Sequence, residues 1–218
     1  MEKHKIAIII PAYNESATIE KVIKSIIKFG KVIVIDDAST DDTGKIAKKS
    51  GAIVIKNKRN MEYDFSLGKG ISNAINKKFI FAITFDADGQ HLAKDIPQVI
   101  QSLKQGYDLV LGIRDTIPRI SEKLSIIILN LFYNIRDPYC GLKAYKLSQL
   151  KKRNFITYKS TGTEIAFYLM KKGCKYKQIE ISTKSRRDKP RFGNKVFSNY
   201  KILKSTFLSL KFLFLKNL

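Results

Sequence analysis

The stretch Phe79-Ile-Phe-Ala-Ile-Thr-Phe-Asp-Ala-Asp88 decides the fold. From Phe79 to Phe85 every residue is apolar or β-branched, so no solvent-facing side is marked. Such a run predicts a strand buried on both faces, and here it ends on two carboxylates. The same pattern recurs upstream. Ile6–Ile10 is an apolar run stopped by Pro11, and Lys31–Ile35 leads into Asp36-Asp37. Ala52–Ile55 and Asp108–Gly112 read as further strands.

Helical patterns lie between these runs. Ile19, Val22, Ile23, Ile26 and Ile27 have helical spacing within residues 16–29. Ser39, with Asp42 three positions on, opens a short helix in the manner of a capping box. Gly68 and Gly70 bracket a predicted helix start before Ile71–Ile75, and Asp95–Leu103 reads as another helix. This alternation predicts an α/β fold, a mostly parallel sheet flanked by helices. Chemistry in such sheets gathers at the carboxyl ends of the strands. The first, second and fourth strands end in Asn14-Glu15, Asp36-Asp37 and Asp86 with Asp88, so three strands bring polar groups to one edge.

Length and composition fit this picture. The chain has 218 residues, 44% hydrophobic and 28% charged, enough for one cored domain with an appendage and unlike a disordered chain. Two cysteines exclude a disulfide scaffold and a four-cysteine zinc site. The apolar stretch before Pro11 is too short for a signal peptide, so no export is expected. Phe79–Phe85 and Leu124–Leu129 are far below the roughly 18–20 residues of a membrane span. The expectation is a cytoplasmic protein, soluble or peripheral on the cytoplasmic face of the membrane.

The formal net charge is +22, which points to a polyanionic partner. It is unevenly placed. Residues 1–142 carry 21 basic and 16 acidic side chains, a net of +5; residues 143–218 carry 20 and 3, a net of +17. The two parts are expected to do different jobs.

An Asp-x-Asp at a strand end can place two carboxylates on one hard cation such as Mg²⁺ or Mn²⁺, whose remaining ligands come from substrate phosphates. It also fits a solvated turn. Gln90 and His91 follow and can add ligands, although a lone His also fits surface or packing. Asp36-Asp37 can cap the next helix or accept hydrogen bonds from a base and ribose. Leu67-Gly68-Lys69-Gly70 is only loosely like a phosphate loop and lacks the Walker spacing. No Gly-x-Gly-x-x-Gly follows the first strand, which counts against a nicotinamide dehydrogenase.

Four motifs stand in order: Pro11-Ala-Tyr-Asn-Glu15, Asp36-Asp-Ala-Ser-Thr40, Asp86-Ala-Asp-Gly-Gln-His91 and Asp137-Pro-Tyr-Cys-Gly-Leu-Lys143. Over residues 5–150 their order and spacing resemble the family 2 glycosyltransferases of the GT-A nucleotide-diphospho-sugar transferase fold. The Gln after the Asp-x-Asp, the small size and the basic stretch Lys184–Lys195 resemble the polyprenyl-phosphate (dolichyl-phosphate) mannose or glucose synthases. The resemblance implies a nucleotide-sugar donor, GDP-mannose or UDP-glucose. Pro11, Tyr13, Glu15 and Asp36 would hold base and ribose, with Lys69 on the donor side. Asp86, Asp88 and Gln90 would hold Mg²⁺ or Mn²⁺ on the diphosphate. Arg187, Arg191 and Lys195 fall where the family has a basic loop closing over the donor. Asp88, Arg114 and Asp137 are the catalytic candidates, Arg114 matching a family arginine that meets the acceptor phosphate. Near Arg119, Ser121 and Lys123 the chain departs from the family's Arg-x-x-x-Ser pattern.

The family reaction is an inverting displacement. A phosphate monoester with a second pKa of about 6 is largely dianionic at neutral pH and needs no general base. A sugar hydroxyl would need one, with Asp137 first and Glu164 second among the candidates. Asp-Pro at 137–138 is also a common turn start. Beyond residue 195, Val196, Tyr200, Leu203, Phe207, Leu210 and Phe214 recur at alternating four- and three-residue steps among lysines. The pattern divides the chain into a catalytic domain, 1–195, and a basic amphipathic helix, 196–218. That helix can lie on an anionic membrane surface, or pack on its own domain or another subunit. An integral-membrane partner is compatible with either arrangement. The readings carried forward are a lipid-phosphate acceptor, a sugar or polysaccharide hydroxyl acceptor, and a nucleic-acid-binding protein. The last lacks any nucleic-acid motif.

Overall fold

A computed structural model describes residues 5–117, 120–150, 160–184 and the positions 202–204, 206, 207 and 210. Seven strands form one sheet: β1 (Ile6–Ala12), β2 (Lys31–Asp36), β3 (Ile53–Lys56), β4 (Phe81–Thr84), β5 (Leu109–Arg114), β6 (Lys143–Lys146) and β7 (Tyr176–Ile181). Their order is β3-β2-β1-β4-β6-β5-β7. All pairings are parallel except those of β6, which runs antiparallel to β4 and β5. The mostly parallel sheet expected from the apolar runs is therefore present, with one reversed strand.

Helices cover both faces. Ile6, Ile8 and Ile10 of β1 pack with α1 (Ile19–Ile26), α2 (Thr43–Lys49) and α4 (Ile96–Lys104). Ala7 and Ile9 point the other way, toward α3 (Glu62–Asn76), α5 (Ile120–Tyr133) and α6 (Thr161–Lys171). This period-two division explains why the strands read as unbroken apolar runs: each alternate residue meets a helix layer.

Several boundaries differ from the sequence reading, among them that of α2, which begins at Thr43 after an Asp42 N-cap and not at Ser39. Strand β1 continues through Pro11 to Ala12, in register with Ile35 and Asp36. Phe85 donates its N–H to the Ile9 carbonyl, so Pro11, two residues on, faces the same side. Pairing with β4 has ended there at Thr84, so the missing proline N–H breaks no ladder bond. Gly68 and Gly70 lie inside α3 and do not start it. A Cβ on Gly70 would stand 2.4 Å from Ile9 Cγ2, so glycine lets α3 press onto β1. The fifth strand runs on to Arg114.

Helix α5 is inverted. Ser121, Glu122, Ser125 and Leu129 are buried, while Ile120, Leu124, Ile127 and Leu131 lie between 50% and 85% exposed. Of the C-terminal segment, Thr206 is buried against α5 and hydrogen-bonds Ser125 Oγ at 2.7 Å and the Tyr139 hydroxyl at 2.6 Å. No helix among the described residues is long and apolar enough to cross a membrane.

Candidate active site

The carboxyl ends of β1 and β2 are stitched together. Asn14 donates its backbone N–H to Ser39 Oγ, and Asn14 Oδ1 accepts the Thr40 N–H at 2.8 Å. Glu15 is buried, with its N–H on Thr43 Oγ1 at 2.7 Å. Asn14, Ala38 and Glu62 all have positive φ (51°, 62° and 70°). Such backbone is costly for side chains other than Asn, and it clusters where a site over-determines the chain.

Asp36 is buried and accepts the Ser39 N–H at 2.9 Å. Asp37 is also buried, in a network with Asn57 and Lys69 that the sequence did not reveal. Its Oδ1 accepts Asn57 Nδ2 at 2.6 Å and the Met61 N–H at 2.9 Å, and Lys69 Nζ donates to Asn57 Oδ1 at 2.7 Å. Lys69 therefore belongs to the second turn of a helix and to an amide network, not to a phosphate loop. Tyr13 is exposed and Pro11 buried beside these groups.

At the end of β4, Asp86 is held from two sides. Tyr63 of α3 donates its hydroxyl to Oδ1 at 3.0 Å, and His91 Nε2 meets Oδ2 at 2.9 Å. Burial alone would raise the Asp86 pKa. The His91 hydrogen bond and charge, then Tyr63 and Lys143, outweigh it and hold the carboxyl below its ordinary value. Burial, then the Asp86 charge, raises the Tyr63 pKa, so the phenol keeps its proton and donates it. A Cβ on Gly141 would lie 2.0 Å from Asp86 Oδ2. Glycine in the 137–143 motif thus gives the carboxylate room. His91 does more than pack, and the signal for it was its place in the Asp-Ala-Asp-Gly-Gln-His run.

Asp88 Oδ1 accepts the Gln90 N–H at 3.0 Å. Gln90 is zipped to the segment after β7: its carbonyl accepts the Lys184 N–H at 2.9 Å, and His91 bridges to Thr183. The structure thus brings the first residue of the basic stretch to the Asp-x-Asp turn. Arg187, Arg191 and Lys195 lie outside the described residues, as does Arg119.

On the other side of β4, Arg114 ends β5. Its Nε and Nη2 grip both oxygens of Asp137 at 2.8 and 3.0 Å, and Nη2 also reaches Glu122 at 2.8 Å. Burial opposes this charge, but the hydrogen bonds and charge of Asp137, then Glu122, raise the Arg114 pKa above its usual value. Asp137 is fully buried. Both of its oxygens are engaged by Arg114, which fixes the orientation of that guanidinium. Glu164 is also fully buried, and its carboxylate accepts the Ser160 N–H at the start of α6 at 3.3 Å. Beside it, Asp64 accepts the Thr161 N–H at 2.5 Å, and burial pushes its pKa up to about 7. Lys143 is buried between these groups, its ammonium donating to the Cys140 carbonyl. Burial lowers its pKa.

Among the described residues no group of three His, Cys, Asp or Glu side chains is placed to hold a metal. The Asp86–Asp88 pair supplies hard oxygen donors, one of them kept ionised. That donor set fits a divalent cation that takes its other ligands from substrate phosphates and water.

A helix-flanked, mostly parallel sheet with one reversed strand and an acidic turn after its fourth strand is the GT-A architecture. Residues 7–167 match the family model for glycosyl transferase family 2, and the chain belongs to that family of glycosyltransferases. An uncharacterised protein of Methanocaldococcus jannaschii is 33% identical over 93% of this chain and 91% of its own length. A UDP-N-acetylglucosamine–dolichyl-phosphate N-acetylglucosaminyltransferase of Methanococcus voltae is 30% identical over 67% of this chain and 71% of its own. The fold also matches glucosyl-3-phosphoglycerate synthase of Mycobacterium tuberculosis, crystallised with Mn²⁺, UDP and its glucosylated product. That match has a TM-score of 0.76 at 18% identity and covers 97% of this chain and 81% of that one.

Proposed function

We propose that the protein moves a hexose from a nucleotide-sugar to a polyprenyl or dolichyl phosphate at a membrane surface. The observation that carries this reading is the state of the two candidate bases. A hydroxyl acceptor needs a carboxylate in reach of its proton. Asp137 is sealed beneath Arg114, and Glu164 is sealed at the start of α6. A lipid phosphate is already dianionic and needs neither. The relative from Methanococcus voltae, named for a dolichyl-phosphate acceptor, points the same way.

Pro11, Tyr13, Glu15 and Asp36, with the Asp37–Asn57–Lys69 network behind them, would receive the nucleoside. Asp86, Asp88 and Gln90 would hold Mg²⁺ or Mn²⁺ against the diphosphate. When bound, such an ion neutralises charge developing on the leaving nucleoside diphosphate. Tyr63, His91 and the cleft over Gly141 keep the Asp86 carboxylate aimed and ionised. Arg114, fixed by Asp137, is the acceptor-side cation. It is already faced by two carboxylates, so a dianionic phosphate needs further positive charge there. Arg187, Arg191 and Lys195, in the basic stretch that begins with Lys184 beside Gln90, would close over the donor. Residues 1–195 form the catalytic domain on this reading, and 196–218 help hold it on an anionic membrane from the cytoplasmic side.

An acceptor assay tests the proposal. Purified protein with Mn²⁺ is offered GDP-mannose, UDP-glucose or UDP-N-acetylglucosamine, with and without polyprenyl phosphate. Label should pass to lipid with one donor only when the lipid phosphate is present, and Asp88→Ala should abolish transfer. Transfer to a sugar hydroxyl without lipid would sink the reading.

A further inference from the structure

Helix α5 buries its polar side and shows its apolar side. Ser121, Glu122, Ser125 and Leu129 face inward, while Ile120, Leu124, Ile127 and Leu131 recur at 4-3-4 spacing on the outside. Phe132 is exposed beside them. An ordinary surface helix has the reverse arrangement. The stripe is extended by the C-terminal segment, because Thr206 bonds Ser125 and its neighbours Leu203 and Phe207 are exposed, Phe207 to 76%. Contiguous outward apolar faces mark surfaces that meet something other than water.

We infer that this face, formed by α5 together with Leu203 and Phe207, seats in the outer layer of an anionic lipid bilayer. Charge selects the bilayer over a second copy of the chain. The acidic residue in the first turn of α5, Glu122, is buried against Arg114, whereas Lys123 is exposed, and Lys204 is exposed on the neighbouring segment. Residues 143–218 carry a net of +17, so pairing two such faces sets like charge on like, whereas anionic headgroups attract both. A helix of 14 residues with charge beside its stripe is suited to lying in the headgroup plane. The face is also joined to the site: Glu122, one turn from the stripe, holds Arg114. The link to the acceptor rests on the lipid-phosphate reading; the docking itself does not.

The protein has no tryptophan, which supplies a clean probe. The Leu131→Trp variant of the full chain should show a blue-shifted emission on adding vesicles of phosphatidylcholine and phosphatidylglycerol, and quenching by brominated acyl chains. Ile127→Glu with Leu131→Glu should reduce flotation with the same vesicles by about tenfold or more. That pair should leave transfer to a water-soluble short-chain polyprenyl phosphate unchanged. Three results would each overturn the inference. They are an unshifted, unquenched emission from the Leu131→Trp variant, undiminished flotation of the double variant, and a wild-type dimer that the double variant dissociates. Inactivity on every acceptor, with docking intact, would count against the transferase reading alone.

Discussion

On the β1–β2–α3 side of the site, carboxylates are held by hydrogen-bond donors, and among the described residues no guanidinium is clasped on them. Asp36 takes a backbone N–H, Asp37 an amide and a backbone N–H, and Asp86 a phenol and an imidazole. The solvent-exposed Lys56 ammonium stands 3.9 Å from Asp36, beyond hydrogen-bond reach. On the β5–α5 side, Asp137 is clasped by a guanidinium along both of its oxygens. The first arrangement fixes the position of each carboxylate through hydrogen bonds from separate donors. The second cancels charge and gains rigidity, and its anion is lost to chemistry. On the function proposed above, one strand edge carries a hydrogen-bonded half for the donor and an ion-paired half that orients a cation for the acceptor.

The contrast can be broken by substitution. Asp137→Ala leaves Arg114 buried without its bidentate partner, and removing one side of a buried pair costs about 3–5 kcal/mol. Its midpoint in urea should fall accordingly, with transfer lost as well. Gly141→Ala drives a Cβ into Asp86 Oδ2. Misplacing a catalytic group by about 1 Å costs on the order of 100-fold in rate, so kcat should fall far more than stability does. Equal losses of stability in these two variants would erase the distinction drawn between the halves.

Asp64 offers a sharper test through pH. Its ordinary value is 3.8, and burial raises it to about 7 in the folded protein. The folded state therefore holds a proton that the unfolded chain has released between about pH 4 and 7. Stability is full below about pH 4 and declines as pH rises toward 7. Asp64→Asn keeps an oxygen for the Thr161 N–H without the buried charge. It should stabilise the fold at about pH 8 by on the order of 2 kcal/mol, with no gain at about pH 4, as thermal melts at the two pH values would read. The smallest effect is expected from Tyr63→Phe. Losing one hydrogen bond to Asp86 is worth about 1 kcal/mol, so kcat should drop about fivefold with the nucleotide-sugar KM little changed.

Much of the donor half was legible in sequence because its parts are local. Apolar runs ending in acids place Asp36, Asp86 and Asp88 at strand ends without any knowledge of strand order. The start of α3 was placed too late because Gly68 and Gly70 read as helix boundaries; only the approach of α3 to Ile9 shows that Gly70 is a packing residue. The contacts that hold both halves are long-range pairs. Arg114 and Asp137 are 23 residues apart, and Tyr63 and Asp86 are likewise 23 apart, with no periodicity to join them. Helix α5 escaped notice for another reason: Leu124–Leu129 was weighed only as a run too short for a membrane span, while the fold turns several of its apolar positions outward.

The sequence by itself determined the layered sheet, the acidic edge and the family, since apolar strand runs and turn acids follow from neighbouring residues. It also determined that positive charge gathers in the last third. Tertiary structure alone decided which carboxylates keep their charge. That depends on whether burial brings a phenol and an imidazole, as for Asp86, or little beyond a backbone N–H, as for Asp64. A carboxylate's ionisation is set by the dielectric and the partners within a few ångströms. Those partners arrive from distant parts of the chain.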